Sequence, residues 1–218
     1  MALENREGGR YFTILGGKFC QRVGDNAEGA ISRVNKMGKT VFEKFYESFT
    51  GTLVDIKVKE SSEYGPSWVF DFIDTEDENS PVYHLQMSYS NSLAIAFLKM
   101  LPNIDLSKPF KLSPSMKVED GKNKYSIFVN QNGVPVKHAF NKENPNGLPD
   151  LEQIKVKGVD TWDNTKRLDF LFNMVQKQIL PKLGKVATQT TQLAPSKTSD
   201  EALEDFASDL RGETEDEF

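Results

Sequence analysis

The sequence predicts a mainly β fold with added helices: a five-stranded barrel with one helix between its third and fourth strands, then a C-terminal helix and an unstructured acidic tail. Three observations predict it. Apolar residues recur at every second position through much of 41–140, the mark of half-buried strands. That rhythm changes once, at 91–102, to helical spacing. The charge is also divided. From Ser199 to Phe218 nine acids face Arg211 alone, a net −8, while the other 198 residues carry 26 basic and 23 acidic side chains, a net +3. The overall −5 hides a mildly basic body with a strongly acidic end.

Taken in order, 11–15 and 18–23 have strand character around Gly16-Gly17, and 30–36 reads as a third short strand; 1–38 is an N-terminal extension on this reading. Residues 41–60 form one long strand bent at Gly51, with Thr52, Val54, Ile56 and Val58 alternating against more polar neighbours. A turn at 63–66 leads to a strand at 67–74, in which Trp68, Phe70 and Phe72 share a face opposite Asp71 and are expected in the core. A third strand covers 82–90. Asn91 then caps a short helix with Ala94, Phe97, Leu98 and Leu101 on one side, and Pro102 stops it. Residues 108–119 alternate again, Asp120-Gly121 turns into a strand at 124–130, and Asn132-Gly133 turns into 134–140. The segment 141–160 reads as a loop. Residues 162–180 carry Leu168, Leu171, Phe172, Val175 and Ile179 at helical spacing, with Pro181 and Gly184 as the stop.

A long first strand, two more, a helix, then two more strands is the element order of the OB fold, which binds oligonucleotides across strands two and three. The predicted domain therefore spans 39–183, with an added hairpin and the C-terminal helix; 184–198 is a linker and 199–218 a tail.

Single-strand binders that read no sequence combine a basic groove along the phosphates with aromatic faces on which bases stack. Arg33, Lys36, Lys39 and Lys44 lead into the first strand, interleaved with Phe42 and Tyr46. Residues 108–142 hold seven lysines against two acids. Among them Lys111, Lys117, Lys122 and Lys124 are candidate phosphate contacts, and Phe128, between Ser126 and Asn130, is a candidate stacking face. Most of the 23 aromatic residues must still serve the core.

Other chemistries fit less well. Arg33 to Thr40 ends in Gly38-Lys39-Thr40 as a phosphate-cradling loop does. Arg33, however, stands where that loop needs its first glycine, and a β run follows where a helix should. One cysteine, Cys20, and two histidines, His84 and His138, do not make a closed zinc site, and no pair of carboxylates stands out. No cofactor, metal or catalytic residue is expected. A single cysteine suits a reducing compartment, and no apolar run nears the ~20 residues needed to cross a bilayer, so a cytoplasmic protein is expected.

The tail SDEALEDFASDLRGETEDEF has too few apolar groups to offset its chain entropy as a domain. Phe206 lies on its one potential helical stripe, and Phe218 follows Glu215-Asp216-Glu217, placing a ring and a carboxylate together after acids. With this ending, the element order of 39–130 and its basic-aromatic character, the chain resembles the single-stranded-DNA-binding proteins of bacteriophages and bacteria, the phage type more closely because no proline precedes Phe218. The resemblance implies binding of single-stranded DNA in replication, recombination and repair. It also implies a tail that recruits a polymerase, primase-helicase or nuclease and competes with DNA for the basic groove, and it is compatible with a homo-oligomer. The rival readings are an RNA-binding barrel, a strand-annealing recombination protein and a nucleotide-processing enzyme.

Overall fold

A computed structural model describes residues 10–25, 27–35, 37–61, 65–74, 81–156 and 158–187, the side chains at 156 and 184–187 excepted. The strands are β1 (Arg10–Leu15), β2 (Lys18–Val23), β3 (Ile31–Val34), β4 (Thr40–Tyr46), β5 (Phe49–Lys59), β6 (Ser67–Ile73), β7 (Tyr83–Ser88), β8 (Phe110–Glu119), β9 (Lys122–Gln131), β10 (Val134–Pro135), β11 (Glu152–Val156) and β12 (Val159–Asp163). The helices are α1 (Ser92–Met100), α2 (Thr165–Met174) and α3 (Leu180–Ala187).

The five-stranded OB barrel is not what forms. Ten strands make one open mixed sheet in the order β10-β9-β8-β5-β6-β7-β1-β2-β4-β3, and β11 and β12 pair apart. Two causes account for the difference. The run 41–60 is two strands, broken at Glu47-Ser48, which land at distant places: β4 lies between β2 and β3, and β5 between β8 and β6. Gly51 lies inside β5, and the irregularity of that strand comes at Leu53–Asp55. Residues 10–34 then supply three further strands. β1 enters the sheet through the only parallel ladder among the described strands, Arg10 opposite Tyr83 and Phe12 opposite Leu85. Period-two patterning tells which face a residue takes, not which strand lies next to it.

The sheet curls without closing. At the β1–β2 turn Gly17 has φ +74°, and a Cβ there would stand 2.4 Å from the Met116 backbone nitrogen. The turn therefore rests on β8 by packing, with no ladder between β2 and β8 among the described pairings.

Trp68, Phe70 and Phe72 line the inner face and are almost fully buried. Both helical segments cover that face. Phe97 of α1 meets Phe70 edge-on at 5.0 Å, and Phe172 of α2 lies 6.2 Å from Trp68. Each such buried side chain contributes about 2–3 kcal/mol. α1 begins as expected: the Asn91 side chain accepts from the Leu93 and Ala94 amides.

The C-terminal helix departs from expectation at both ends. Trp162, expected to open the helix, belongs to β12, and 152–160, expected as loop, forms most of the β11–β12 hairpin. The helix also continues past Pro181 to Ala187. Proline has no N–H and collides with the carbonyl four residues back, so the helix widens just before it into a π-turn, Val175–Ile179. No helix among the described residues is long and apolar enough to cross a membrane.

On the outer face Asp55, Asp71, His84 and Tyr11 stand in one row across β5, β6, β7 and β1. Asp71 is 4% exposed and accepts from His84 Nδ1 at 2.6 Å and Lys57 Nζ at 2.8 Å. Tyr11 stacks on His84 at 4.5 Å. Burial alone would raise the Asp71 carboxyl, but these two hydrogen bonds outweigh it and hold the group below its ordinary 3.8. A depressed carboxylate stabilises the fold above its ordinary value and ceases to do so as pH falls toward the lowered one. Asp71→Asn should cost about 2 kcal/mol at neutral pH. In urea unfolding the gap from wild type should close below pH 3.8; a gap constant with pH would mean the charge contributes nothing.

Candidate nucleic-acid interface

β8 and β9 form a long antiparallel hairpin. Its turn, Asp120-Gly121, has φ of 53° and 75°, as a tight type I′ turn demands. Phe110, Leu112, Pro114, Ile127 and Val129 point into the molecule and are buried. Alternation sends Lys111, Ser113, Ser115, Lys117 and Glu119 outward on β8, and Lys122, Lys124, Ser126, Phe128 and Asn130 outward on β9.

Five sequence-predicted residues, Lys111, Lys117, Lys122, Lys124 and Phe128, thus share one face. Phe128 is 58% exposed, a large ring turned to solvent opposite Ser113. Lys117 lies directly opposite Lys124. A same-sign pair in register opposes folding by roughly 0.2–1 kcal/mol, which a polyanion laid across it would relieve. Lys124 also reaches Glu119 at 2.6 Å and draws that carboxyl below its usual range, whereas Lys122 stands across from the same acid.

β4 separates the other predicted residues. Phe42, Lys44 and Tyr46 share one face: Phe42 and Lys44 are half-buried, and Tyr46 is exposed with its hydroxyl donating to Gln21 Oε1 at 3.1 Å. The opposite face carries Glu43, 1% exposed, gripped by Arg33 through Nε at 2.7 Å and Nη2 at 2.8 Å, with Arg22 at 3.8 Å. Arg33 is therefore committed to an internal ion pair. Beside it the Cys20 thiol is pushed up to about 12, by burial first and by Glu43 next. The phosphate-loop-like string is the β3–β4 hairpin turn. Asn35 Oδ1 there accepts from the Met37 and Lys39 amides and leaves Lys39 in solvent. Lys36 lies outside the described residues, as do the tail candidates Phe206, Glu215, Asp216, Glu217 and Phe218.

On the Tyr46 side of β4 lies a cleft that the sequence did not reveal, a cavity of about 280 Å³. Phe12, Phe19, Tyr46, Phe49, Phe72 and Tyr83 line it, from six different strands. Arg10, Gln21, Ser48, Thr50 and Asp74 supply polar groups, and the Arg10 guanidinium lies 5.8 Å from the centre of the Tyr83 ring. Of the sequence-predicted residues only Tyr46 enters it. Thr50 stands opposite Lys111, but Leu112, which also lines the cleft, points to the other face of β8, so the cleft and the lysines lie on opposite faces of that strand. Arg10, Phe12 and Tyr83 could not have been linked beforehand, because only the parallel β1–β7 ladder brings them together. In comparisons with protein-family models, curated proteins and solved structures, nothing matches the chain.

Proposed function

We propose that the protein binds single-stranded DNA without reading its sequence, in replication, recombination or repair. One observation carries the reading: a solvent-facing phenylalanine amid lysines, two of which face each other in register. Lysines replace counterions along phosphates, and an exposed ring offers any base a stacking surface. The acidic tail, on the sequence resemblance, recruits partner proteins and competes for the same lysines. RNA would satisfy these groups as well, so oligomers of both sugars belong in the test.

The test is an anisotropy titration with an unstructured deoxythymidylate oligomer at several salt concentrations. Phe128→Ala should weaken binding by about 1–3 kcal/mol with an unchanged thermal transition, since its ring packs against little. Removing 199–218 should tighten binding at low salt. Absence of binding by the full chain in dilute buffer would overturn the proposal.

A further inference from the structure

We infer that the aromatic cleft takes one base of the bound strand, unstacked from its neighbours; this rests on the strand-binding reading above. Small-ligand pockets generally begin near 300 Å³. At about 280 Å³ this one has room for a single ring system and part of a sugar, and none for a helix or folded peptide.

Its walls suit a planar guest. Phe12 meets Tyr46 at 5.9 Å and Tyr83 at 5.8 Å, and Phe49 meets Tyr83 at 5.1 Å, all edge-on or tilted. None of these contacts is a parallel stack, so the ring faces are not consumed by one another. The rim suits the edge of a base. Arg10 donates, and Gln21, Ser48 and Thr50 both donate and accept, so every base finds partners without any being required. The cleft and the lysines meet at one point: Thr50, at the cleft, is the cross-strand neighbour of Lys111, whose side chain leaves β8 on the face opposite Leu112, so a bound strand must pass from one face to the other to reach both.

The chemistry recognised is a heteroaromatic ring with a polar edge, attached to an anion. A free nucleotide shares it, and the experiment separates the two sources. A short deoxythymidylate oligomer carrying one 2-aminopurine, placed at different positions, is saturated with the full chain, and acrylamide quenching reads how much of the probe is shielded. A shielded fraction is expected, lost in Tyr46→Ala and in Arg10→Ala, each with roughly tenfold weaker binding. Tyr46→Phe, which keeps the ring, should retain it. Lys117→Ala should lower affinity while leaving the shielding at saturation intact. Deoxyadenosine monophosphate at millimolar concentration should displace the shielded probe only weakly, because it lacks the lysine contacts.

Tight displacement by the mononucleotide would overturn the assignment to a strand's base and make the cleft a nucleotide site. An oligomer that binds with its probe fully quenchable at every position, or shielding that survives both cleft variants, would overturn the base pocket and leave the strand-binding reading standing. No binding at all would remove both. Tyr46 and Arg10 are exposed, and thermal melts of each variant establish that the cleft changed without the fold.

Discussion

The variant Lys111→Ala/Lys117→Ala/Lys122→Ala should bind a deoxythymidylate oligomer several hundredfold more weakly than wild type at about 50 mM salt. Each neutralised phosphate of a single strand contributes about 0.7 to the slope of log affinity against log salt, so three lost contacts lower that slope by about 2. Between ~1 M salt, where the contribution vanishes, and ~50 mM, a slope change of 2 accumulates to roughly that factor. Lys124 is left in place because Glu119 already occupies it. Stability should not suffer. All three side chains are exposed, and removing Lys117 relieves its opposition to Lys124. An unchanged salt slope would show that phosphates do not ride this face.

Arg33→Ala should act in the opposite sense, on folding before binding. Glu43 is 1% exposed, and its two oxygens are held by Arg33 at 2.7 and 2.8 Å, with Arg22 more distant at 3.8 Å. Deleting one partner of a buried pair leaves a charge in a poor solvent, at a cost of about 3–5 kcal/mol. The partly open Arg33 side chain and the second arginine place the expectation at the lower end, about 3 kcal/mol. Urea unfolding checks it. The double variant Arg33→Ala/Glu43→Ala should be less destabilised than the sum of the singles, because the orphaned carboxylate is gone. Near-wild-type stability with sharply reduced DNA affinity would return Arg33 to the role that its neighbours in sequence suggested.

Residue by residue, much was legible before any coordinates. β6 could be read because Trp68, Phe70 and Phe72 alternate, and α1 because Asn91 and Pro102 punctuate it. The lysine face followed from the same alternation through 110–130. What escaped was nonlocal. Nothing near Glu47-Ser48 announces that the chain there leaves one side of the sheet for another, since both flanks favour strands equally. Nothing in the first strand names Tyr83 as its companion, so Arg10 and Phe12 carried no signal of a cleft. Pro181 spoke for a helix end, and only a local widening of the backbone let the helix pass it. Arg33 looked like its basic neighbours because its pairing with Glu43 depends on the β3–β4 register.

The parallel seat of β1 has a consequence for synthesis. Strands β5, β6 and β7 can pair as each emerges, whereas β1, made well before them, can pair with β2 at once but has nothing along its other edge until residues 83–88 exist. The cleft waits longer, for Leu112 also lines it. A nascent chain shorter than that possesses most of its aromatic rings and none of the chamber they jointly enclose.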